Sequence, residues 1–354
     1  KESEDDDDYK IDNEQIKEYT PLNLAVSEKQ IDIVELLLAD QNVNINLNSF
    51  SISVNTENET ICEIEYLPNI VEASYFSNDE ILLLLLSNPD IDVNNKEITS
   101  NYEVFPTSYG YSIDKDNLLN YDEYSLLCYA VTSNDYSLVY LLLQNPNIDV
   151  NIKNLHWQSF SSDYEENLPR YYEENSLLGA VMRDNIQIAE LLLKHPKINP
   201  NDKIYEYKYQ ESDHCESKEN TPLNVAIKRL NIQMVKLFLE NPKTDINIKK
   251  RKYYENKNKG LFGQEEKSPL YIATEKKIVD MVQLLLENSN LDINSKSIVK
   301  GNIKKKFIYY EETTLHFAVS NNMNEIVQLL LLHPTIDVNV KAIKIEDDKH
   351  KENN

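Results

Sequence analysis

One spacing of apolar residues recurs seven times along the chain. Each copy has a leucine or isoleucine, an alanine three residues later, and three large apolar residues that begin eleven positions after that alanine. Residues three apart lie on one face of a helix, so the first part predicts a short helix with one buried face. The apolar triplet predicts a second helix that is covered on more than one side. The anchoring alanines are Ala25, Ala73, Ala130, Ala180, Ala226, Ala273 and Ala318.

The polar residues between these apolar positions mark where the helices start and stop. A hydroxyl residue followed by proline precedes the first helix of several copies, which places an N-cap before a proline at the first helical position. An Asn-Pro or His-Pro pair stops the second helix, because proline disfavours helical conformation in the residue before it. A tetrad such as residues 148–151 (IDVN) then begins an extended segment. The capping pairs are Thr20-Pro21, Thr221-Pro222 and Ser268-Pro269.

Residues 20–25 (TPLNLA) and 313–318 (TTLHFA) are similar to the first-helix signature of ankyrin repeats, and residues 33–38 (IVELLL) resemble the second helix. The resemblance runs from about residue 20 to residue 340. It implies an all-α fold class, a helix-pair solenoid of seven ankyrin-type repeats with β-hairpin fingers. The solenoid is expected over residues 19–340. Its repeats are expected at about 19–46, 67–94, 124–151, 175–201, 220–247, 267–294 and 312–339.

The chain departs from the family pattern mainly in its period. The family repeats every ~33 residues, whereas successive anchoring alanines here are 45 to 57 residues apart. The excess lies where the family has its β-hairpin finger, so the fingers are expected to be lengthened. The family's glycine between the two helices is replaced by Lys29, Asn185 and Asn322.

The two ends of the chain lie outside the expected solenoid. Residues 1–18 are interpreted as an acidic tail and partial finger, and residues 341–354 as a charged tail or partial finger. The chain begins with Lys1 rather than Met, and both ends fall within a finger. We therefore expect either a fragment of a longer array or the stacking of another copy on the ends.

Charge and composition exclude several classes of function. A formal net charge of −24 argues against nucleic acid as a partner, because phosphate binding depends on lysine and arginine. No apolar run approaches the ~20 residues that cross a bilayer, so membrane insertion is not expected. Three scattered cysteines favour a reducing, cytoplasmic location. Dispersed histidines and the lack of nucleotide-binding or hydrolase motifs predict no enzyme activity, no cofactor and no metal site.

The resemblance implies a protein–protein interaction scaffold or adaptor that binds partners through its concave face and its finger tips. The alternative is a structural protein that stacks with its neighbours into a cytoskeletal or filamentous lattice. The family resemblance also implies that the second and third residues after each alanine face the concave surface. The candidates there are Tyr75, Phe76, Arg183, Lys228, Arg229 and Lys276.

Basic and aromatic residues on the later repeats give the remaining candidates. The basic residues suggest docking of an acidic segment, with a merely solvated charged face as the alternative. Tyr205, Tyr207 and Tyr209 alternate at the period of a strand and share one face. Such tyrosines either pack across neighbouring hairpins or form an aromatic contact surface. The other finger candidates are Lys250, Arg251, Tyr253 and Tyr254.

Overall fold

A computed structural model describes residues 15–55, 61–75, 79–107, 110–158, 170–210, 214–256, 261–303 and 306–348. These residues form 14 helices and 14 strands. The helices are α1 (Pro21–Ser27), α2 (Ile31–Leu38), α3 (Asn69–Tyr75), α4 (Asp79–Ser87), α5 (Leu126–Thr132), α6 (Tyr136–Leu143), α7 (Ser176–Met182), α8 (Ile186–Leu193), α9 (Pro222–Lys228), α10 (Ile232–Glu240), α11 (Pro269–Glu275), α12 (Val279–Leu286), α13 (Thr314–Ser320) and α14 (Asn324–Leu332).

Strands occupy the segments between helix pairs. They are β1 (Gln15–Glu18), β2 (Ser49–Asn55), β3 (Ile61–Leu67), β4 (Lys96–Thr107), β5 (Gly110–Ser125), β6 (Lys153–Gln158), β7 (Arg170–Asn175), β8 (Ile204–Gln210), β9 (His214–Asn220), β10 (Lys250–Asn256), β11 (Leu261–Lys267), β12 (Lys296–Ile303), β13 (Lys306–Thr313) and β14 (Ile343–Asp348).

The expected all-α class is therefore wrong. Helix and strand alternate along the chain in equal number. The lengthened fingers are long enough for each strand to satisfy its backbone N–H and C=O groups on antiparallel neighbours. The described residues by which each repeat exceeds the family's usual period thus lie largely in β-strands.

The chain divides into two compact units, and the first comprises Lys1–Leu126 with His156–Glu165. Its described helices are α1 to α4. Its strands pair antiparallel in sequence order, β1 with β2, β2 with β3, β3 with β4 and β4 with β5. The part of β6 that belongs to this unit pairs with β5, which places Asp122 opposite His156. This unit is a row of hairpins attached to two helix pairs.

The second unit comprises Leu127–Leu155 with Glu166–Asn354. It holds the helix pairs from α5–α6 to α13–α14. Its strands β7 to β14 also pair antiparallel in sequence order, within hairpins and between successive hairpins. Ion pairs across the strands reinforce the pairing, as between Lys296 and Glu311, whose Nζ and Oε1 lie 3.0 Å apart.

Side-chain caps fix the starts of four first helices, α1, α7, α9 and α11. The hydroxyl groups of Thr20, Thr221 and Ser268 each accept a hydrogen bond from the backbone N–H three residues on. The fourth repeat lacks a Thr-Pro pair, and Asn175 supplies the cap there. Its Oδ1 accepts from the Leu178 N–H at 2.8 Å. Different residues thus satisfy the same unpaired helix donors.

In the six repeats whose inter-helix turn is described, that turn contains one residue with positive φ. The assignment of Asn185 to the family's glycine position is wrong by one residue, because Asp184 has the positive φ of 53°. Asn185 instead caps α8, with its Oδ1 accepting from the Ile188 N–H at 3.0 Å. A left-handed residue without glycine costs ~1 kcal/mol or more at each turn. The positive-φ residues are Lys29, Asn134, Asp184, Leu230, Lys277 and Asn322.

Burial follows the repeat pattern closely. All seven anchoring alanines are at most 2% exposed. The middle residue of the apolar triplet is also fully buried in six repeats, and in the fifth repeat it is Phe238. The first residue of the triplet is more accessible, and Leu36 is 73% exposed. The second helix therefore buries mainly the face that packs on its own and neighbouring helices.

Within each of the two units, asparagine side chains join successive repeats. Asn201 lies at the end of the tetrad that follows α8, and its Nδ2 donates to the Lys243 carbonyl at 2.7 Å. Its Oδ1 accepts from the Asp245 N–H at 2.8 Å. One amide thus bonds both a donor and an acceptor of the neighbouring backbone. The same paired bonds are made by Asn46, Asn151, Asn247 and Asn294.

We predict that Asn201→Asp destabilises the protein by about 1–3 kcal/mol, because the substitution removes the donor and places a carboxylate against the Lys243 carbonyl. Chemical denaturation followed by circular dichroism measures the effect. Asn290→Asp is the matched control, since Asn290 contributes only its backbone groups to the bonds described. Equal denaturation midpoints for the two variants would contradict a structural role for the asparagine.

Candidate partner-binding site

The predicted contact residues divide between the two units. Tyr75 is in the first unit, at the end of α3, and its hydroxyl donates to the carboxylate of the buried Glu97. Phe76 lies outside the described residues, as does the side chain of Tyr209. The tips of the fingers, which are the other predicted partner-binding surface, also lie outside the described residues. The other predicted residues belong to the second unit.

The three predicted arginines are each paired with acidic groups. Arg183 Nη1 lies 3.1 Å from a Glu174 oxygen. Arg229 bonds Asp184 through two nitrogens, the shorter contact being 2.6 Å. Arg251 lies between two glutamates of its neighbouring strands, at 3.4 and 3.7 Å. These guanidinium groups are thus already neutralised within the chain, and sequence reasoning overstated the charge available on this surface.

The predicted tyrosines pack against neighbouring strands and side chains, and several of them are also partly exposed to solvent. Tyr205 lies beneath the Lys153 ammonium, 5.7 Å from the ring centroid. The Tyr254 ring covers Gly263 on the next strand so closely that a Cβ there would overlap it. Tyr205, Tyr207 and Tyr253 nevertheless keep 38%, 48% and 39% of their surface exposed. The packing interpretation therefore holds for Tyr254, and a contact surface stays a prediction for the exposed rings.

A cleft of about 430 Å³ lies between helices α7 and α9 and strands β7, β8 and β9 in the second unit. It brings together the predicted Tyr205, Lys228 and Arg229. Its apolar wall was not predicted as a unit, and comes from Tyr172, Leu178, Met182, Ile204, Tyr205 and Val225. Comparing the repeats position by position would have indicated part of it, because Met182 and Lys228 both lie two residues after their anchoring alanine.

Lys228 is the chemically unusual residue of this cleft. It is the last residue of α9, it is part-buried, and its Nζ donates to Asn220 Oδ1 at 3.3 Å. Burial, together with the nearby ammonium groups of Lys250 and Lys218, lowers the pKa of Lys228 to about 7. Within the described part of the chain, neither Lys228 nor Lys250 forms an ion pair with a carboxylate.

The carboxylates that line the cleft already have partners. Glu173 accepts from Lys153 at 2.9 Å. Glu206 lies 3.3 Å from Lys208 and 3.4 Å from Lys218. Because these acidic groups are engaged, they compensate Lys228 only in part. The cleft therefore combines an apolar wall with an under-neutralised ammonium group.

The first unit has the opposite electrostatic character. Glu72, on α3, is only 7% exposed, and burial followed by repulsion from Glu65 raises its pKa to about 7. Burial also raises the pKa of Glu97, against the opposing hydrogen bond from Tyr75. The neighbourhood of α3 therefore holds several carboxyl groups, whereas Lys228 in the second unit lies beside the ammonium groups of Lys250 and Lys218.

No group of three or more histidine, cysteine, aspartate or glutamate side chains has the arrangement of a metal site in the described part of the chain. No helix within the described ranges is long and apolar enough to cross a lipid bilayer.

Family models for ankyrin repeats match three segments of the chain. A model of three ankyrin repeats matches residues 177–297 and 254–342, and a model of the single ankyrin repeat matches residues 17–49. No curated protein matches the chain. The solved ankyrin repeat protein EF0377 is 16% identical, with 89% of this chain and 100% of that chain covered. Its TM-score of 0.37 is too low to bear on the assignment, which rests on the family models. The matched segments cover more than half of the residues, and the chain is an ankyrin repeat protein.

Proposed function

We propose that the chain is a non-catalytic scaffold or adaptor that binds a protein partner through the first helices and finger strands of its second unit. Ankyrin repeats generally mediate protein–protein interaction. The observation that carries the proposal is the cleft between α7 and α9, which Tyr205 lines, with Tyr207 two residues further along β8 and 48% exposed. Part-exposed aromatic side chains next to an apolar pocket are typical of interaction hot spots.

A cytoplasmic location belongs to the same proposal. Its support is that Cys62, Cys128 and Cys215 are all free thiols. Cys62 and Cys128 are buried, as expected of cysteines that serve as small apolar residues in a reducing compartment.

Affinity capture with the intact chain, followed by crosslink mapping, tests the proposal. We expect partner crosslinks at Lys208 and Lys218 on the finger strands rather than at Lys194 and Lys236, which lie beside or on the second helices. Crosslinks confined to the second-helix side would contradict the proposed surface.

Substitution of an exposed tyrosine tests the same surface. We expect Tyr207→Ala to weaken capture of the crosslinked partner by about tenfold or more, because truncating an aromatic hot spot costs about 2 kcal/mol. Tyr140→Ala is the matched control, since Tyr140 is 51% exposed on the second helix α6. Equal losses for both variants would contradict a finger-strand surface.

A second candidate function is assembly of copies by stacking, as in a structural lattice. It is favoured by apolar side chains that face solvent on the terminal helix pairs of the two units. Leu331 and Leu332 on α14 are 51% and 80% exposed, and Leu36 on α2 is 73% exposed. Contiguous exposed apolar residues are characteristic of interaction surfaces.

Sedimentation velocity across a concentration series tests assembly. If copies stack, the weight-average mass rises with concentration, and Leu332→Glu restores a constant mass because a charge would be buried in the contact. Leu83→Glu is the control, since Leu83 is 50% exposed on α4. A monomeric mass at every concentration would exclude this candidate.

A further inference from the structure

We infer that the cleft between α7 and α9 binds a protein segment that carries an acidic side chain beside a large apolar one, with the carboxylate placed on Lys228 and Lys250. The inference rests on the proposed function and specifies the chemistry of the partner at this site. It also assigns separate roles to the two parts of the cleft.

The apolar wall accepts the hydrophobic side chain. Leu178 and Met182 on α7 face Val225 on α9 across the cleft, and Ile204 and Tyr205 of β8 complete the wall. Met182 is 46% exposed in the free chain, so part of this wall is covered by nothing in the described structure. A cleft of about 430 Å³ lies within the usual range of roughly 300–1,000 Å³ for ligand sites. It is large enough for side chains and too small for a folded domain.

The ammonium groups bind the carboxylate by donating hydrogen bonds to it. Lys228, at the end of α9, lines the cleft, and Lys250, at the start of β10, lies next to Lys228 without lining it. Two separate elements thus bring two positive charges together. Asn220 is the hydrogen-bond partner that Lys228 has within the described residues. A carboxylate between the ammonium groups would remove their mutual repulsion and supply charge-assisted hydrogen bonds. Charge complementarity therefore selects an acidic segment.

A protein segment fits these features better than a small anion does. Inorganic phosphate would satisfy the charge but would leave the apolar wall exposed. The net charge of −24 also repels polyanions such as nucleic acid from most of the surface. A segment with one or two carboxylates next to a leucine or phenylalanine uses both parts of the cleft.

Selection from a phage-displayed library of random heptapeptides against the intact chain tests the inference. We expect enrichment of peptides with aspartate or glutamate adjacent to a large apolar residue. A peptide synthesised from the most enriched sequence is then titrated by calorimetry, beside its amide version, in which asparagine or glutamine replaces each acid, and beside inorganic phosphate. Enriched peptides without an acid, or phosphate that competes at the peptide's own concentration, would overturn the inference.

Three variants locate the binding. We expect Lys228→Met and Lys250→Met each to weaken the acidic peptide by about tenfold or more, since each removes a charged hydrogen-bond donor. Lys236→Met is the matched control, because Lys236 is exposed on α10 of the same repeat and does not line the cleft. Circular dichroism verifies folding of each variant. Affinities within about twofold of the wild type for both Lys228→Met and Lys250→Met would overturn the inference.

The protonation of Lys228 provides a second readout. Carboxylate binding favours its ammonium form, so affinity should fall as pH rises from about 6 to about 9, with proton uptake on binding. The other charged groups around Lys228 are Lys250 on β10, Lys218 on β9, Glu206 on β8, Glu173 on β7 and Arg229. The Lys228→Met variant should lose this pH dependence, and its persistence there would contradict carboxylate binding at Lys228.

The inference and the proposed function fail separately. Partner capture that maps to the finger strands but is unchanged in Lys228→Met would retain the proposed function and overturn the cleft assignment. Partner crosslinks confined to the second-helix side would instead contradict the proposed surface itself.

Discussion

The structure depends on the inability of any one repeat to bury its own apolar residues. Its helices have seven to nine residues, and isolated helices of that length are marginal in water. They persist because alanines such as Ala180 and Ala226, which are fully buried, let successive first helices pack closely. Amides such as that of Asn201 then bond the backbone of the next repeat. Apolar packing provides the stability, and the asparagine fixes how far one repeat is displaced from the next.

The long fingers change what this arrangement can present to a partner. Their strands pair within and between hairpins, so side chains on a finger are held by the sheet rather than by a loop. This fixed geometry places Tyr205 and Glu206 of β8 against the ends of α7 and α9. The cleft exists because finger and helix meet there. Its charge follows from the same packing, since α9 ends with Lys228 partly buried among strand residues.

The repeat and its helices could be predicted from the sequence because the signals are local. A hydroxyl before Pro222, or an alanine three residues after a leucine, specifies its structure within one turn of helix. The sheet was underestimated because strand pairing depends on residues in separate hairpins, such as Arg251 opposite Glu219. The pairing of Arg229 with Asp184 was missed for the same reason, as the two residues are in different repeats. Lys228 was named for its charge, whereas its burial became visible only in the structure.

Amide hydrogen exchange of the intact chain, read residue by residue, tests most directly whether the fingers are ordered sheet coupled to the helix pairs. The account predicts that the paired strands β8, β9 and β10 are protected to the same order as the buried helices α7 and α9 that they accompany. Strand amides that exchange at the rate of an unstructured chain, while those helices remain protected, would contradict it. The fingers would then be loops on a helical array, and the cleft would have no fixed wall.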